Sequence, residues 1–257
     1  MSQAKKTNFD AKKEVKKIYS FIKKYFKKNN LKGVVLGISG GKDSAVVAGL
    51  FANALGKENV VGLTLPCHSR KEDAKDAKLV ADKFGFELLN IDITKAHDSL
   101  IDNVMKLGFP KDNNETLDSD INLKPRLRMA ICYYMAAYLS KVKKGTYIVA
   151  GTSNACELYV GYFTKGGDSV HDISVLADLT VDEVIAIGEE IGVPDKVIHK
   201  TPDDGLSGKS DEEKLGVKYS DIGKILRKKK VDKKEKEKIE KLHKRSTHKF
   251  SIPTYRR

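Results

Sequence analysis

Eight consecutive residues, Gly37-Ile38-Ser39-Gly40-Gly41-Lys42-Asp43-Ser44, carry the clearest chemical signal in the chain. They leave a short β-branched run at 33–38 and open an apolar helical pattern from Asp43 to Leu55. Small residues at such a junction let backbone N–H groups approach an anion, and the helix start adds the positive end of its dipole. A phosphate-binding turn is the expectation. It is not a Walker loop, because Asp43 stands where a hydroxyl should follow the lysine and Leu36 where the first glycine should be. A carboxylate next to bound phosphate repels it unless a cation lies between them, so Asp43 implies Mg2+.

The elements that must position this turn follow from periodicity. Val15, Ile18, Tyr19, Ile22, Tyr25 and Phe26 recur at helical spacing, and Asp10 can cap that helix. Strands are expected at 33–38, 60–65, 87–92 and 147–150, separated by helices at 43–55, 70–84, 93–107 and 125–140. Gly108–Ser119 reads as a polar loop, and Pro125 as the first residue of its helix. Strand–helix alternation predicts a doubly wound, mostly parallel α/β sheet flanked by helices, with C-terminal helices at 180–191, 219–229 and 232–244. Thr201–Glu213 is turn-rich and polar and is expected to be mobile. The lysine-rich run after Arg227 keeps Val231, Ile239 and Leu242, enough for weak packing only.

SGGKDS at 39–44 resembles the SGGxDS signature of the PP-loop ATP pyrophosphatases, which adenylate a substrate oxygen. A second block, from Gly151-Thr152 through Glu157 to Gly161-Tyr162-Phe163-Thr164-Lys165-Gly166-Gly167-Asp168, resembles that of the NAD+ synthetases. Asn122-Leu123-Lys124-Pro125-Arg126-Leu127-Arg128-Met129, Ser210–Gly216 and His243-Lys244-Arg245 match the same family in the same order. The resemblance implies a PP-loop, Rossmann-like fold and an amide-forming ligase: ATP activates the nicotinate carboxylate of deamido-NAD+, and ammonia displaces AMP. It places ATP on Gly37, Ile38, Ser39, Gly40, Gly41, Lys42, Asp43, Ser44, Thr152 and Asp203. Mg2+ falls to Asp43 and Glu157. Deamido-NAD+ falls to Arg126, Lys165, Asp172, His243 and Lys244, with Asp43, Glu157 and Lys165 carrying the catalysis. A homodimer is implied as well. Two positions depart from the family pattern. Val181 replaces a lysine that meets ATP phosphate, and Asp203 replaces a hydroxyl.

The chain is 257 residues, 40% hydrophobic and 32% charged, which suits one domain over 1–257 with the PP-loop at 37–44 and a basic helical segment at 219–257. One helix precedes the signature, so a glutaminase domain is not expected and free ammonia is the expected nitrogen donor. The net charge of +13 is concentrated at the two ends, where lysines alternate with apolar positions. Solvated helix faces explain it without nucleic acid. Three isolated cysteines and the lack of a secretory h-region or an apolar span fit a cytoplasmic protein with no membrane partner. Two other readings stay open here: a tRNA-modifying PP-loop enzyme, disfavoured by the lack of paired cysteines, and an ATP-sensing module without catalysis.

Overall fold

The computed structural model describes residues 9–108, 118–200 and 210–255. Five strands, β1 (Leu31–Gly37), β2 (Val60–Thr64), β3 (Glu87–Asn90), β4 (Thr146–Gly151) and β5 (Ile173–Ser174), form one sheet in the order β3-β2-β1-β4-β5. Every pairing is parallel. The helices are α1 (Ala11–Lys28), α2 (Lys42–Leu55), α3 (Lys71–Phe84), α4 (Thr94–Met105), α5 (Asp118–Val142), α6 (Ala155–Val160), α7 (Val181–Ile191), α8 (Asp195–Ile198), α9 (Asp211–Leu215), α10 (Tyr219–Leu226) and α11 (Lys233–Ser246).

The sheet is covered on both faces, as its continuous apolar strands require. Val34 and Leu36 point to one face, against Ile22 and Phe26 of α1, Phe51 of α2 and Ile187 of α7. Val35, Val61, Leu63 and Val149 point to the other, against Cys132, Ala136 and Leu139 of α5. A third apolar cluster joins α6, α10 and α11 through Cys156, Val160, Tyr219, Ile222 and Ile239. Ile239 is fully buried, so the lysine-rich C-terminal helix packs more firmly than its composition suggests. All three cysteines are free and buried.

Strand order reverses between β1 and β4. In an open α/β sheet the crevice beyond the carboxyl ends of such a strand pair is where ligands bind. Several local expectations need correction. Helix α5 begins at Asp118, seven residues before Pro125, which lies inside it. The extra turns are tied down by tertiary bonds: Thr164 Oγ1 donates to Asn122 Oδ1 at 2.6 Å, and His97 Nε2 lies 3.2 Å from the Asp120 carbonyl. Helices α6 and α8 and the two-residue strand β5 are additional elements. Residues 211–213 of the expected mobile loop instead start α9, whose N-cap Ser210 accepts from Glu213 N and whose Glu213 accepts from Ser210 N. The rest of that loop, 201–209 with Asp203, lies outside the described residues.

Candidate active site

The turn after β1 is built by its own side chains. Ser44 Oγ accepts from Ser39 N at 3.2 Å and donates to the Gly41 carbonyl at 3.1 Å. Gly41 N donates to Ser39 Oγ. Gly40 takes φ 80°, and a Cβ there would stand 2.5 Å from the carbonyl oxygen of Asp73 on α3. Only glycine satisfies both conditions. Lys200 Nζ clamps the back of the turn, donating to Asp73 Oδ1 at 2.8 Å and Asp76 Oδ2 at 2.9 Å. Burial would raise the Asp76 carboxyl, but the hydrogen bonds from Lys196 and Lys200 hold it below the usual range.

β4 delivers the opposite wall. Past Gly151 the chain runs through Thr152 and Ser153 to Asn154, the N-cap of α6. Asn154 Oδ1 accepts from Cys156 N and Glu157 N, and Asn154 N donates to Glu157 Oε2 at 3.0 Å. This is a capping box, in which cap and third helical residue satisfy each other's N–H groups. The remaining donor of the same side chain, Nδ2, reaches Asp43 Oδ1 at 3.0 Å across 111 residues of chain. Asn154 therefore locks both acids to one frame. Sequence reading did not single it out, although Asn-x-x-Glu followed by a helix-ending Gly161 at φ 68° was a legible local signal.

The two acids share one cavity of about 220 Å³ with Ser39, Gly41, Thr152, Tyr162 and Asp168. Burial pushes the Asp43 carboxyl up, with Lys42 and the Asn154 bond pulling the other way. Glu157 is pushed well up, first by burial and then by the charge of Asp43. Asp211 adds further negative charge and is held by a hydrogen bond from Tyr162 Oη at 2.9 Å. Near this group lies the buried hydroxyl of Tyr219, which has no hydrogen-bond partner among the described residues. Burial and then Glu157, Asp211, Tyr162 and Asp43 drive its pKa up, so it stays a neutral donor. An all-oxygen acid pair that resists double ionisation, beside an orphaned O–H donor, fits a hard divalent cation with water in its shell.

The other expected residues fall into three places. Arg126 and Lys165 meet: Arg126 Nε donates to the Lys165 carbonyl at 3.3 Å, while Lys165 Nζ donates to the His248 carbonyl at 2.8 Å. Asp172 sits just before β5 and alongside β4, accepting from Val149 N at 2.8 Å and Tyr133 Oη at 3.0 Å. His243 is stacked on Tyr159 with centroids 4.2 Å apart, its Nδ1 2.7 Å from the Tyr159 carbonyl, and Lys244 beside it is exposed. Val181 is buried at the start of α7 within the α6–α10–α11 cluster. Its apolar setting accounts for the absence of a cation there, and the charge of the buried Lys42 acts on both acids.

Comparison with known proteins bears on this arrangement. A family model described as NAD synthase matches residues 14–253. The chain is 36% identical to an NH(3)-dependent NAD(+) synthetase of Alkaliphilus metalliredigens, over 93% of this chain and 96% of that protein. Among solved structures it is similar to an NMN synthetase from Francisella tularensis, with 33% identity, TM-score 0.86 and coverage of 97% and 99%. It is also similar to an NH3-dependent NAD synthetase from Campylobacter jejuni, with 30% identity, TM-score 0.75 and coverage of 97% and 100%. Among the described residues no helix is long and apolar enough to cross a membrane.

Proposed function

This chain belongs to the NAD synthase family, and we propose that the crevice between β1 and β4 is where it joins ammonia to an ATP-activated nicotinate carboxylate. The activity is that of an ammonia-dependent, amide-forming ligase with ATP as co-substrate. The observation that carries the site reading is the Asn154 bridge, which sets Asp43 of the turn and Glu157 of α6 against one another.

Residues 37–44 receive the triphosphate at the N-terminus of α2, where the positive end of the helix dipole favours an anion. Thr152 lies on the opposite wall, and Asp203 is assigned to the same ligand from outside the described residues. Asp43 and Glu157 hold Mg2+, which supplies charge neutralisation on the phosphate oxygens. The substrate carboxylate attacks the α-phosphorus in line, pyrophosphate leaves, and ammonia then displaces AMP. Neither step requires a covalent enzyme intermediate, so orientation and electrostatics dominate.

Arg126, Lys165, Asp172, His243 and Lys244 are assigned to deamido-NAD+. The cations suit its pyrophosphate and carboxylate, and Asp172 suits hydroxyl or N–H donors. Lys165→Met is expected to raise the KM for deamido-NAD+ by about ten- to a hundredfold, the size of one charge-assisted hydrogen bond. The KM for ATP should move little. Steady-state kinetics with each substrate varied in turn checks this, and an effect confined to ATP would move Lys165 to the other half of the site.

A second reading concerns the acid alone. The likeness to an NMN synthetase favours nicotinate mononucleotide as the alternative acceptor. Purified chain with ATP, Mg2+ and ammonium should make NAD+ from deamido-NAD+ with the higher kcat/KM, and glutamine in place of ammonium should give no turnover. A tenfold preference for the mononucleotide would establish the second reading. Turnover with rigorously ammonia-free glutamine would overturn the nitrogen assignment.

The protein is placed in the cytoplasm as a homodimer, without nucleic acid or membrane partners. Support for the dimer is a face of α5 that the described residues leave uncovered, where Tyr134, Tyr138 and Val142 recur every fourth residue and are all exposed. Leu100 and Val104 of α4 are exposed too. Light scattering should give the mass of two chains, and Tyr134→Glu with Tyr138→Glu should give one. A variant that remains dimeric would put the interface elsewhere.

A further inference from the structure

Away from the acid pair, the described residues hold one cluster of metal-ligating side chains: His68, His97 and Asp98, whose ligand atoms all lie within 4.8 Å of one another. His68 follows β2 in the loop leading to α3, and His97 and Asp98 lie in the first turns of α4. All three thus gather beyond the carboxyl ends of β2 and β3, at the other end of the sheet from β5.

The hydrogen bonds of His97 fix its chemistry. Its ring is buried, and Nε2 lies 3.2 Å from the Asp120 carbonyl, which can only accept. Nε2 therefore carries a proton. Nδ1 lies 3.0 Å from Asp98 Oδ1, and in a neutral ring that nitrogen presents a lone pair to a carboxylate oxygen. Something positive belongs between them. His68 Nε2 converges on the same oxygen at 2.8 Å. His68 reaches this position from a left-handed backbone, φ 54°, which non-glycine residues seldom adopt without compensation.

Two imidazoles and one carboxylate form the nitrogen–oxygen donor set of zinc-class ions, and a ligating histidine that donates its other N–H to a backbone carbonyl is their usual support. Tetrahedral bonds of about 2.0–2.1 Å put ligand atoms roughly 3.4 Å apart. Asp98 Oδ1, 2.8 and 3.0 Å from the two nitrogens, must retreat by about half an ångström to admit the ion, and the nitrogens, within 4.8 Å of one another, must settle to the same spacing; the half-exposed side chains of Asp98 and His68 can make both adjustments. The side chain of His68 is 50% exposed, which leaves a fourth position open to water.

We propose that His68, His97 and Asp98 bind one zinc-class divalent transition-metal ion, separate from the Mg2+ assigned to the acid pair. The ion fastens the 65–70 loop to α4 and, through Asp120, to the start of α5. That loop leads into α3, whose Asp73 backs onto Gly40, so the clamp stiffens the support behind the phosphate turn.

The test uses tag-free full-length protein, stripped with chelator and returned to excess Mg2+, then titrated with Co2+ followed by Zn2+. The expected result is one equivalent of Co2+ with the intense visible bands of four-coordinate cobalt, displaced by Zn2+, and a Zn2+-dependent rise in Tm. His68→Gln and Asp98→Asn alter half-exposed side chains, so both should fold, and each should weaken Zn2+ binding at least roughly tenfold. No cobalt bands in the wild type, or equal Zn2+ affinity in the double variant, would overturn the site and leave an imidazolium–carboxylate pair in its place.

Discussion

Asp43→Asn should lower NAD+ formation about a thousandfold while raising the Tm of chelator-treated protein at pH 7. The loss follows from the role proposed for the carboxylate. A cation on transferring phosphate is worth several kcal/mol of transition-state stabilisation, and about 4 kcal/mol corresponds to a factor of roughly 10³. The gain follows from linkage. Burial holds Asp43 and Glu157 above the usual carboxylate range, and for Glu157 the charge of Asp43 adds to it. A group whose folded pKa is raised contributes stability below its unfolded pKa, and that contribution is lost as pH rises through the folded value. At neutral pH the uncompensated pair is therefore a cost. An amide at position 43 removes one charge, and its oxygen can still accept from Asn154 Nδ2. The Tm gain should shrink toward pH 4, where the carboxyls become protonated, and should vanish when Mg2+ stabilises the wild type. Thermal scans with and without Mg2+, beside a turnover assay, check both halves. Undiminished turnover, or a lowered Tm in chelator at pH 7, would remove Asp43 from the cation site.

This trade of stability for a charged pair explains which parts of the site were legible in the sequence. The phosphate turn was legible because its logic is local: a buried strand, small residues and a helix start within eight positions. Glu157 became legible only through the resemblance of its block to a family. Asn154 stood inside that block yet was overlooked, because its decisive bond crosses 111 residues and no local pattern encodes it. Tyr219 was missed for the same reason, its importance arising from the carboxylates packed against it.

The fold shows the same division. Four of five strands and the major helices follow from periodicity, since their apolar faces repeat along the chain. β5 has two residues and exists because Ala150 and Gly151 pair with Ile173 and Ser174. The early start of α5 defied the usual place of proline at a helix start, because Asn122 and Asp120 are held from outside the helix. Val181 is the clearest lesson on carry-over. The resemblance implied a lysine meeting phosphate at that position, whereas here α6, α10 and α11 close over the side chain.

The second large effect is expected at Gly161→Ala, which should destabilise the protein by about 2–5 kcal/mol and loosen the segment that carries Lys165. Gly161 ends α6 at φ 68°, a conformation that costs a side-chain-bearing residue about 1–2 kcal/mol. An added Cβ would also land on the Cβ of Ser246, which is buried at the end of α11. Overpacking of that kind costs about 1–3 kcal/mol more, because neither atom lies at the tip of a flexible side chain. The close approach also sets the contacts that follow it. Just beyond Ser246, Lys249 Nζ donates to the carbonyls of Gly161 and Phe163 at 2.7 and 2.6 Å, and Phe250 packs edge-on against Phe163. The same turn of chain presents the His248 carbonyl to Lys165. Pushing α11 away should therefore weaken deamido-NAD+ binding without touching the phosphate turn. Ser246→Gly in the same chain removes the facing Cβ, leaving chiefly the backbone strain at 161. Urea denaturation of both single variants and the double variant forms a cycle, and the two substitutions should couple by at least about 1 kcal/mol. Additive losses would mean that α11 moves aside freely, and that the glycine serves the turn alone.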